Sequence, residues 1–440
     1  MSKPSLQNID ISTRYSTITE EEIYTVVTEF GTPLYVVDEQ IILDNLSTLE
    51  NSFNNYNGKT SIAYSLKSNF NPSIIEILNK ESILFDLTSL GELYFFEQCR
   101  ANIDNVLYTS VTEEENEYYS AMQSGISKFV IGSYNGLINL ISASESLNIS
   151  PKVLVRINPE IDVKADISAS SGMGKFGIPL SNSSNDDAFY IINKIFDNNL
   201  LQFHGIHFHL GSQISNPSCF IQTLDLLSSL IKQLKSSIND FTISILDIGG
   251  GTPVEYTKPV PSPEYIGKII TDKLNEFTNS LDISPTLIVE SGRYLSAESS
   301  ILISRIVNSK SYPDCKFHII DAGYNLLLDS ALMKQEYPID IITRSQSTTL
   351  ENIKIGGRLC DTLDTFNISP GKKFPRASIN DLVVFRNVGA YSIVFNMPFH
   401  CQTKPAILLR RTDHSIDIIR EPEKIEDLFN SEGGNLSSKQ

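Results

Sequence analysis

The sequence predicts an α/β fold, a (β/α)₈ TIM-like barrel, joined to a mainly antiparallel β domain. Three observations predict it. Between about residue 60 and residue 293, eight short apolar β-rich runs alternate with longer helical patterns. That span, about 230 residues, is close to the ~250 usual for such a barrel. After Arg293 the helical periodicity weakens and short β-like runs take over. An open doubly wound sheet has the same alternation and stays open as the other arrangement.

In chain order, residues 1–37 form an N-terminal segment. Its Thr32-Pro-Leu-Tyr-Val-Val reads as a strand that joins the β domain. The barrel is assigned to 38–295. Its runs are Ser61–Ser65, Leu84–Ser89, Val106–Ser110, Phe129–Gly132, Val153–Asn158, Phe203–Leu210, Ile243–Ile248 and Leu287–Glu290. Helical patterns such as Pro72–Asn79, Leu90–Cys99, Glu113–Ser124 and Phe220–Ser237 lie between them. The β domain is assigned to 296–420, with runs at Ser300–Ile306, Phe317–Ile320, Leu382–Phe385 and Ala406–Leu409. Residues 421–440 are charged, then rich in Ser, Gly and Asn, and read as a flexible tail.

The chain has 440 residues, 41% of them apolar, enough for one large domain or two ordinary ones. Its 35 Lys and Arg against 52 Asp and Glu give a net charge of -17. Such a surface repels phosphate backbones and anionic lipid, so neither nucleic acid nor membrane is expected as a partner. No stretch approaches the roughly 20 apolar residues of a membrane span. Cys99, Cys219, Cys315, Cys360 and Cys401 are far apart and show no metal or redox spacing. No metal centre is predicted, and a reduced, cytoplasmic setting fits.

Polar residues gather at the C-terminal ends of the proposed barrel strands, where barrel active sites are built. Lys67 ends the first run. The apolar residues before it predict a desolvated amine with a lowered pKa, fit to form a Schiff base. A lysine reaching to the rim is the plainer use. Asp247-Ile-Gly-Gly-Gly-Thr ends the seventh run, and its glycines let backbone N–H groups approach a phosphate. His207 and His209, two apart after the sixth run, face one side of a strand. They suit a metal, although no third ligand is evident, or a ring packed on a flat cofactor. Glu290-Ser-Gly-Arg places a carboxylate at the barrel mouth, with a local Glu–Arg ion pair as the plain alternative.

Together these motifs carry a resemblance. The anchors are Tyr64-Ser-Leu-Lys-Ser-Asn, Phe85-Asp-Leu-Thr-Ser-Leu-Gly-Glu-Leu, Val155-Arg-Ile-Asn-Pro, Lys175-Phe-Gly, His207-Phe-His-Leu-Gly-Ser-Gln, Asp247-Ile-Gly-Gly-Gly, Glu290-Ser-Gly-Arg, Asp321-Ala-Gly, Leu359-Cys-Asp and Gly389-Ala-Tyr. In this order they resemble the fold-type III decarboxylases that use pyridoxal 5'-phosphate (PLP), the diaminopimelate and ornithine decarboxylase family. The resemblance runs from about Phe30 to Arg410. It implies an alanine-racemase-like two-domain architecture and a carboxy-lyase that removes the α-carboxylate of an amino acid or a derivative. It implies Lys67 as the cofactor lysine, His209 on the pyridine ring and Glu290 at the ring nitrogen. Ser212, Gly249, Gly250, Gly251, Arg293 and Tyr391 would hold the phosphate, and Asp361, Arg293 and Tyr391 would meet the substrate. Cys360 would enter the neighbouring subunit's site and reprotonate Cα, which implies a homodimer with shared sites.

The carboxylate Glu290 favours decarboxylation over racemisation, because it keeps the ring nitrogen protonated and the electron sink strong. With Lys67, Glu290 and Cys360 all present, an inactive regulatory homologue is the weaker expectation. The substrate end departs from the diaminopimelate pattern. Cys360-Asp361-Thr362 stands for Cys-Glu-Ser, and Glu290-Ser291 stands for Glu-Pro. Asp329 and Met333 stand near the places of an arginine and a tyrosine that hold a distal carboxylate. Cys360-Asp-Thr-Leu-Asp364 is closer to ornithine decarboxylases. Gln335-Glu-Tyr-Pro-Ile and Glu290-Ser-Gly-Arg-Tyr-Leu resemble a specialised natural-product branch, some of whose members take aminoacyl groups on a carrier protein. The expected substrates are therefore a specialised amino acid or carrier-bound aminoacyl group, diaminopimelate, or ornithine or lysine.

Overall fold

The computed structural model describes residues 18–163, 167–170, 174–180, 184–344 and 349–434. The chain divides into two compact units. One comprises Asn45–Glu255 and Pro259–Leu295; the other comprises the chain up to Asp44, Tyr256–Lys258 and the chain from Ser296.

The first unit is a closed barrel of eight parallel strands: Thr60–Ser65, Leu84–Leu87, Val106–Tyr108, Lys128–Ile131, Lys152–Asn158, Gln202–His207, Ile245–Asp247 and Thr286–Ser291. The eighth pairs with the first, Leu287 opposite Thr60 through Ser291 opposite Tyr64. Closure removes the open-sheet arrangement. Helices Pro72–Lys80, Leu90–Gln98, Glu115–Gln123, Tyr134–Leu147, Ala188–Phe196, Ser218–Ser237 and Pro263–Leu281 follow successive strands, and Glu39–Ser52 precedes the first. Local chemistry starts them. Asn71, Ser89, Ser133, Asp187 and Ser262 each accept a first-turn backbone N–H, with Pro72 and Pro263 just inside. Leu224, Leu227, Leu230, Ile231 and Leu234 form the buried stripe of Ser218–Ser237, at the spacing that keeps one helix face apolar.

Strand side chains repeat direction every second residue. Ala63, Leu107, Val130, Leu154, Ile245 and Ile288 form one buried apolar cluster, with Leu84 packed against it. Two residues further along the same strands stand Ser65, Asp86, Thr109, Arg156, Asp247 and Glu290. His207 joins them, in register with both Arg156 and Asp247. An apolar floor therefore carries a polar layer at the C-terminal end of the barrel.

The second unit contains a sheet ordered Thr365–Phe366, Ile353–Gly356, Lys316–Ile320, Ser300–Ser311, Leu34–Asp38, Ile407–Arg410 and Ile416–Arg420. Leu382–Arg386 also pairs with Ser300–Ser311, and Ile339–Ile342 pairs with Leu382–Arg386. Pairing is mainly antiparallel. The exceptions are Leu34–Asp38 with Ile407–Arg410 and Lys316–Ile320 with Ile353–Gly356. The N-terminal strand Leu34–Asp38 lies within this sheet, between Ser300–Ser311 and Ile407–Arg410. Helix Glu20–Phe30 supplies Ile23 and Val26 to a core with Leu34, Val36, Ile301, Ile303, Val384 and Leu408.

The stretch read as a flexible tail contains a helix, Ile425–Ser431. Asp427 accepts from the backbone N–H of Lys424 at 3.3 Å, and Leu428 is buried. Residues 1–17 and 435–440 lie outside the described residues. Among the described residues, no helix is long and apolar enough to cross a membrane.

Candidate active site

Lys67 lies in a one-turn 3₁₀ helix, Leu66–Ser68, that ends the first strand. The turn is fixed by its own groups: Asn69 N–H donates to Leu66 O, Ser68 Oγ to Ser65 O, and Tyr64 hydroxyl to Asn69 O. Gly292 passes over it; a Cβ there would lie 2.8 Å from the Cβ of Ser68. The amine is not desolvated as predicted. Its side chain is 39% exposed and its Nζ lies 3.0 Å from Asp86 Oδ2. The apolar residues before Lys67 are buried, but the turn lifts the side chain to the barrel mouth. Asp86 is itself buried, and its other oxygen has no partner among the described residues.

Glu290 is the centre of the polar layer. Its Oε1 lies 3.1 Å from His207 Nε2, and its Oε2 lies 3.7 Å from His209 Nδ1. Burial alone would raise its pKa. The electrostatic influence of His207, its hydrogen bond and the Lys67 charge outweigh burial and hold the carboxylate well below its ordinary range. The two histidines are not on one strand face, because the strand ends at His207 and His209 lies in the loop beyond. His209 Nδ1 accepts from Gly250 N–H at 2.9 Å, so its proton sits on Nε2. Burial pulls its pKa down to about 3, and the ring is neutral. Its approach to Glu290 is therefore a contact, not an ion pair.

Asp247 lies beside them. One oxygen accepts from Gly249 N–H at 2.9 Å and the other has no partner among the described residues. Burial, then the charge of Glu290, pushes its pKa well above the ordinary carboxylate value. Ligand atoms of His207, Asp247 and Glu290 lie within 4.8 Å of one another. Asp247 and Glu290, not His209, would thus complete any cation site at His207.

Arg156, from the fifth strand, lies with its guanidinium carbon 4.7 Å from the centre of the Phe176 ring. Arg293 follows the eighth strand. Its Nε donates to Ser212 Oγ at 3.1 Å, a contact to a hydroxyl at the barrel mouth. Gly249 sits at φ +65°, and a Cβ there would lie 2.5 Å from Phe208 O and 2.6 Å from His209 Nδ1. Only glycine lets the turn after the seventh strand close on the His209 loop.

The layer thus brings together Lys67, His209, Ser212, Gly249, Gly250, Gly251, Glu290 and Arg293, all within the barrel unit. Cys360, Asp361 and Tyr391 belong to the β unit. Tyr391 follows Leu382–Arg386 in a left-handed conformation, φ +57°. Cys360 is exposed, and its backbone N–H donates to His400 Nδ1 at 3.3 Å. Asp86, Asp247 and Arg156 went unassigned in the sequence. Each is a lone ionisable residue inside an apolar run, at an inward position of the alternation, and that was the available signal.

These features define a class. They are a barrel-mouth lysine paired with a carboxylate, a buried anion held ionised among histidines, a neutral imidazole, and a glycine turn near an Arg–Ser pair. That donor set suits PLP. The amine can carry it, the carboxylate can face a pyridine N–H, and the arginine, serine and backbone amides can take a phosphate. The chain belongs to the family described as "Pyridoxal-dependent decarboxylase, pyridoxal binding domain", whose model matches residues 42–297. It is a PLP-dependent carboxy-lyase. It is 29% identical over 413 residues to diaminopimelate decarboxylase of Methanothermobacter thermautotrophicus, covering 91% of each chain. Among solved structures it resembles the diaminopimelate decarboxylase of M. jannaschii in co-complex with L-lysine. There the TM-score is 0.84 at 25% identity, over 93% of this chain and 94% of that one. It also resembles the Helicobacter pylori enzyme complexed with L-lysine, with a TM-score of 0.83 at 26% identity over 94% and 100%.

Proposed function

We propose that the protein removes the α-carboxylate of an amino acid whose far end carries an N–H donor and not a second carboxylate. The observation that carries this reading is the chemistry at the far-end positions of the β unit. By the resemblance, Asp361, Asp329 and Met333 stand near the places where diaminopimelate decarboxylases hold a distal carboxylate, and Met333 is 52% exposed. A distal carboxylate placed among them without a cation costs several kcal/mol.

In this reading Lys67 would carry PLP, Glu290 would keep a proton at the pyridine nitrogen, and His209 would meet the ring as a neutral imidazole. Ser212, Gly249, Gly250, Gly251, Arg293 and Tyr391 would hold the phosphate. Bound PLP supplies the sink for the electron pair left when CO₂ departs. Cys360 of the partner subunit delivers the proton to Cα, and the homodimer shares its sites. Cys360 is exposed beside exposed Leu363 and Phe399, as a loop that enters another subunit requires. The five cysteines are free, which suits a reducing, cytoplasmic setting.

The test is CO₂ release from meso-diaminopimelate, lysine, ornithine and carrier-bound glutamyl or aminoacyl groups. A substrate with a distal N–H donor is expected to win. Diaminopimelate decarboxylation is the second reading, favoured by likeness to the diaminopimelate decarboxylases over nine-tenths of the chain. A kcat/KM of about 10⁴ M⁻¹s⁻¹ or more on diaminopimelate, above all other arms, would establish that reading.

A further inference from the structure

The β unit holds a cavity that the decarboxylase reading does not use. Along one edge, the segment from Leu350 to Gly356 is paired twice. Its start, Leu350–Glu351, pairs with Phe374–Pro375. Its end pairs with Thr365–Phe366, Ile355 opposite Phe366 and Gly356 opposite Thr365. Between these pairings residues 352–354 face residues 367–373, three against seven, so the longer stretch arches away. The arch and the strand edge enclose a cavity of about 490 Å³. On the other edge, Lys316 N–H donates to Asn352 O at 3.0 Å, and the parallel ladder with Lys316–Ile320 continues through every second residue. The N–H and C=O of Ile353 therefore point into the arch, where no strand meets them. Phe317, half-buried, forms a flat floor; its ring crosses Gly356 so closely that a Cβ there would lie 2.7 Å from it. Lys354 stands in register beside Phe317. It is exposed and makes no ion pair among the described residues. Lys372, the other cation of the lining, is engaged, its Nζ donating to Ile339 O at 2.7 Å. Among the described residues no acidic side chain lines the cavity, in a chain of net charge -17.

We propose that this arch is a second small-molecule site, for a ligand that carries a flat apolar ring and a carboxylate. None of its lining residues has a role at the cofactor or the reacting amino acid. The cavity volume falls within the ~300–1,000 Å³ of small-molecule sites. An added peptide strand does not fit, because three residues of free edge span only about 10 Å and pairing closes both ends. The ring lies on Phe317, and the carboxylate meets Lys354 and accepts from Ile353 N–H. A cationic ligand is disfavoured, since the lining offers it two ammonium groups and no carboxylate. Water alone satisfies the Ile353 N–H but leaves the Phe317 ring wet, whereas an aryl carboxylate covers both.

The test uses PLP-loaded enzyme and two probes, 3-phenylpropanoate and 3-phenylpropylamine, which share the ring and carry opposite charges. Calorimetry reads affinity, and hydrogen exchange of the peptide spanning residues 350–356 reads the place. The anion should bind at least about tenfold tighter than the amine, with a Kd near or below about 1 mM. It should slow exchange in residues 352–354. Lys354→Gln, at an exposed position, should weaken the anion about fivefold, the scale of a charge contact open to solvent, and should not weaken the amine. Failure of both probes to bind at about 10 mM overturns the proposal. So does an amine that binds as well as the anion, or anion affinity that Lys354→Gln leaves unchanged. Protection confined to barrel peptides also overturns it, because the carboxylate then sits at the cofactor residues.

Discussion

At the scale of single residues, two buried carboxyl groups on neighbouring strands are pushed in opposite directions: the pKa of Glu290 is held below the ordinary carboxylate value and that of Asp247 is raised above it. Glu290→Gln keeps the shape and removes the charge, so PLP should stay bound, by its absorbance, while CO₂ release falls at least about tenfold, about 1.4 kcal/mol of barrier. Unchanged turnover would mean that another group faces the pyridine nitrogen. Asp247→Asn should act on stability. An unfolded aspartate releases its proton near pH 3.9, whereas the folded group keeps it to a higher pH. Between those values the folded state binds more protons, so its stability falls as pH rises. Asparagine lacks that slope. Urea denaturation of cofactor-free protein from pH 5 to pH 8 should show the variant gaining on wild type, by up to about 1.4 kcal/mol per pH unit. Parallel pH profiles would contradict a raised Asp247 pKa. Lys67 and Glu290 were legible because each ends an apolar run beside glycine or serine. Asp86 and Arg156 were not, because a lone charge in a strand acquires meaning only from neighbours on other strands.

At the scale of elements, the turn after the seventh barrel strand sets the position of His209. Gly249→Ala puts a methyl against Phe208 O and His209 Nδ1 in a left-handed conformation. The expected result is a loss of about 1–3 kcal/mol of stability and weaker PLP retention, read by denaturation and by cofactor absorbance after dialysis. A variant that matches wild type in both would show that the turn relaxes freely. The eight barrel strands were legible through their β-branched runs and their spacing. Their ends were less so: the sixth stops at His207, not Leu210, because ladder bonding ceases there while apolar residues continue. The helix Ile425–Ser431 was hidden by its polar composition. It depends on the Asp427 cap and on Leu428, which sequence texture alone does not separate from a frayed end.

At the scale of the whole molecule, the proposed shared sites would make activity a property of the pair. Lys67→Ala and Cys360→Ala proteins should each be inactive alone. Mixed, they form hybrid dimers in which one of the two sites keeps both residues, so about a quarter of wild-type activity should return at equal mixing if subunits exchange freely. Subunit exchange is checked by tagging one partner. Exchange without recovered activity would place Cys360 and Lys67 in the same subunit's site. The sequence made the two-unit organisation readable through the change of texture at Arg293. It did not show that the polar residues form one layer, because that requires eight strands in register.

The strand Leu34–Asp38 is flanked in its sheet by Ser300–Ser311 and Ile407–Arg410. During synthesis it leaves the ribosome long before either neighbour exists. At 5–20 residues per second, roughly 10–50 s pass before Ser300 is added. Through that interval five apolar-rich residues, buried in the finished protein, have unpaired edges on both sides. The nascent chain therefore has a built-in waiting period in which its N-terminal strand needs shelter. Yield in a chaperone-depleted translation system should depend on this strand more than on any strand of the barrel.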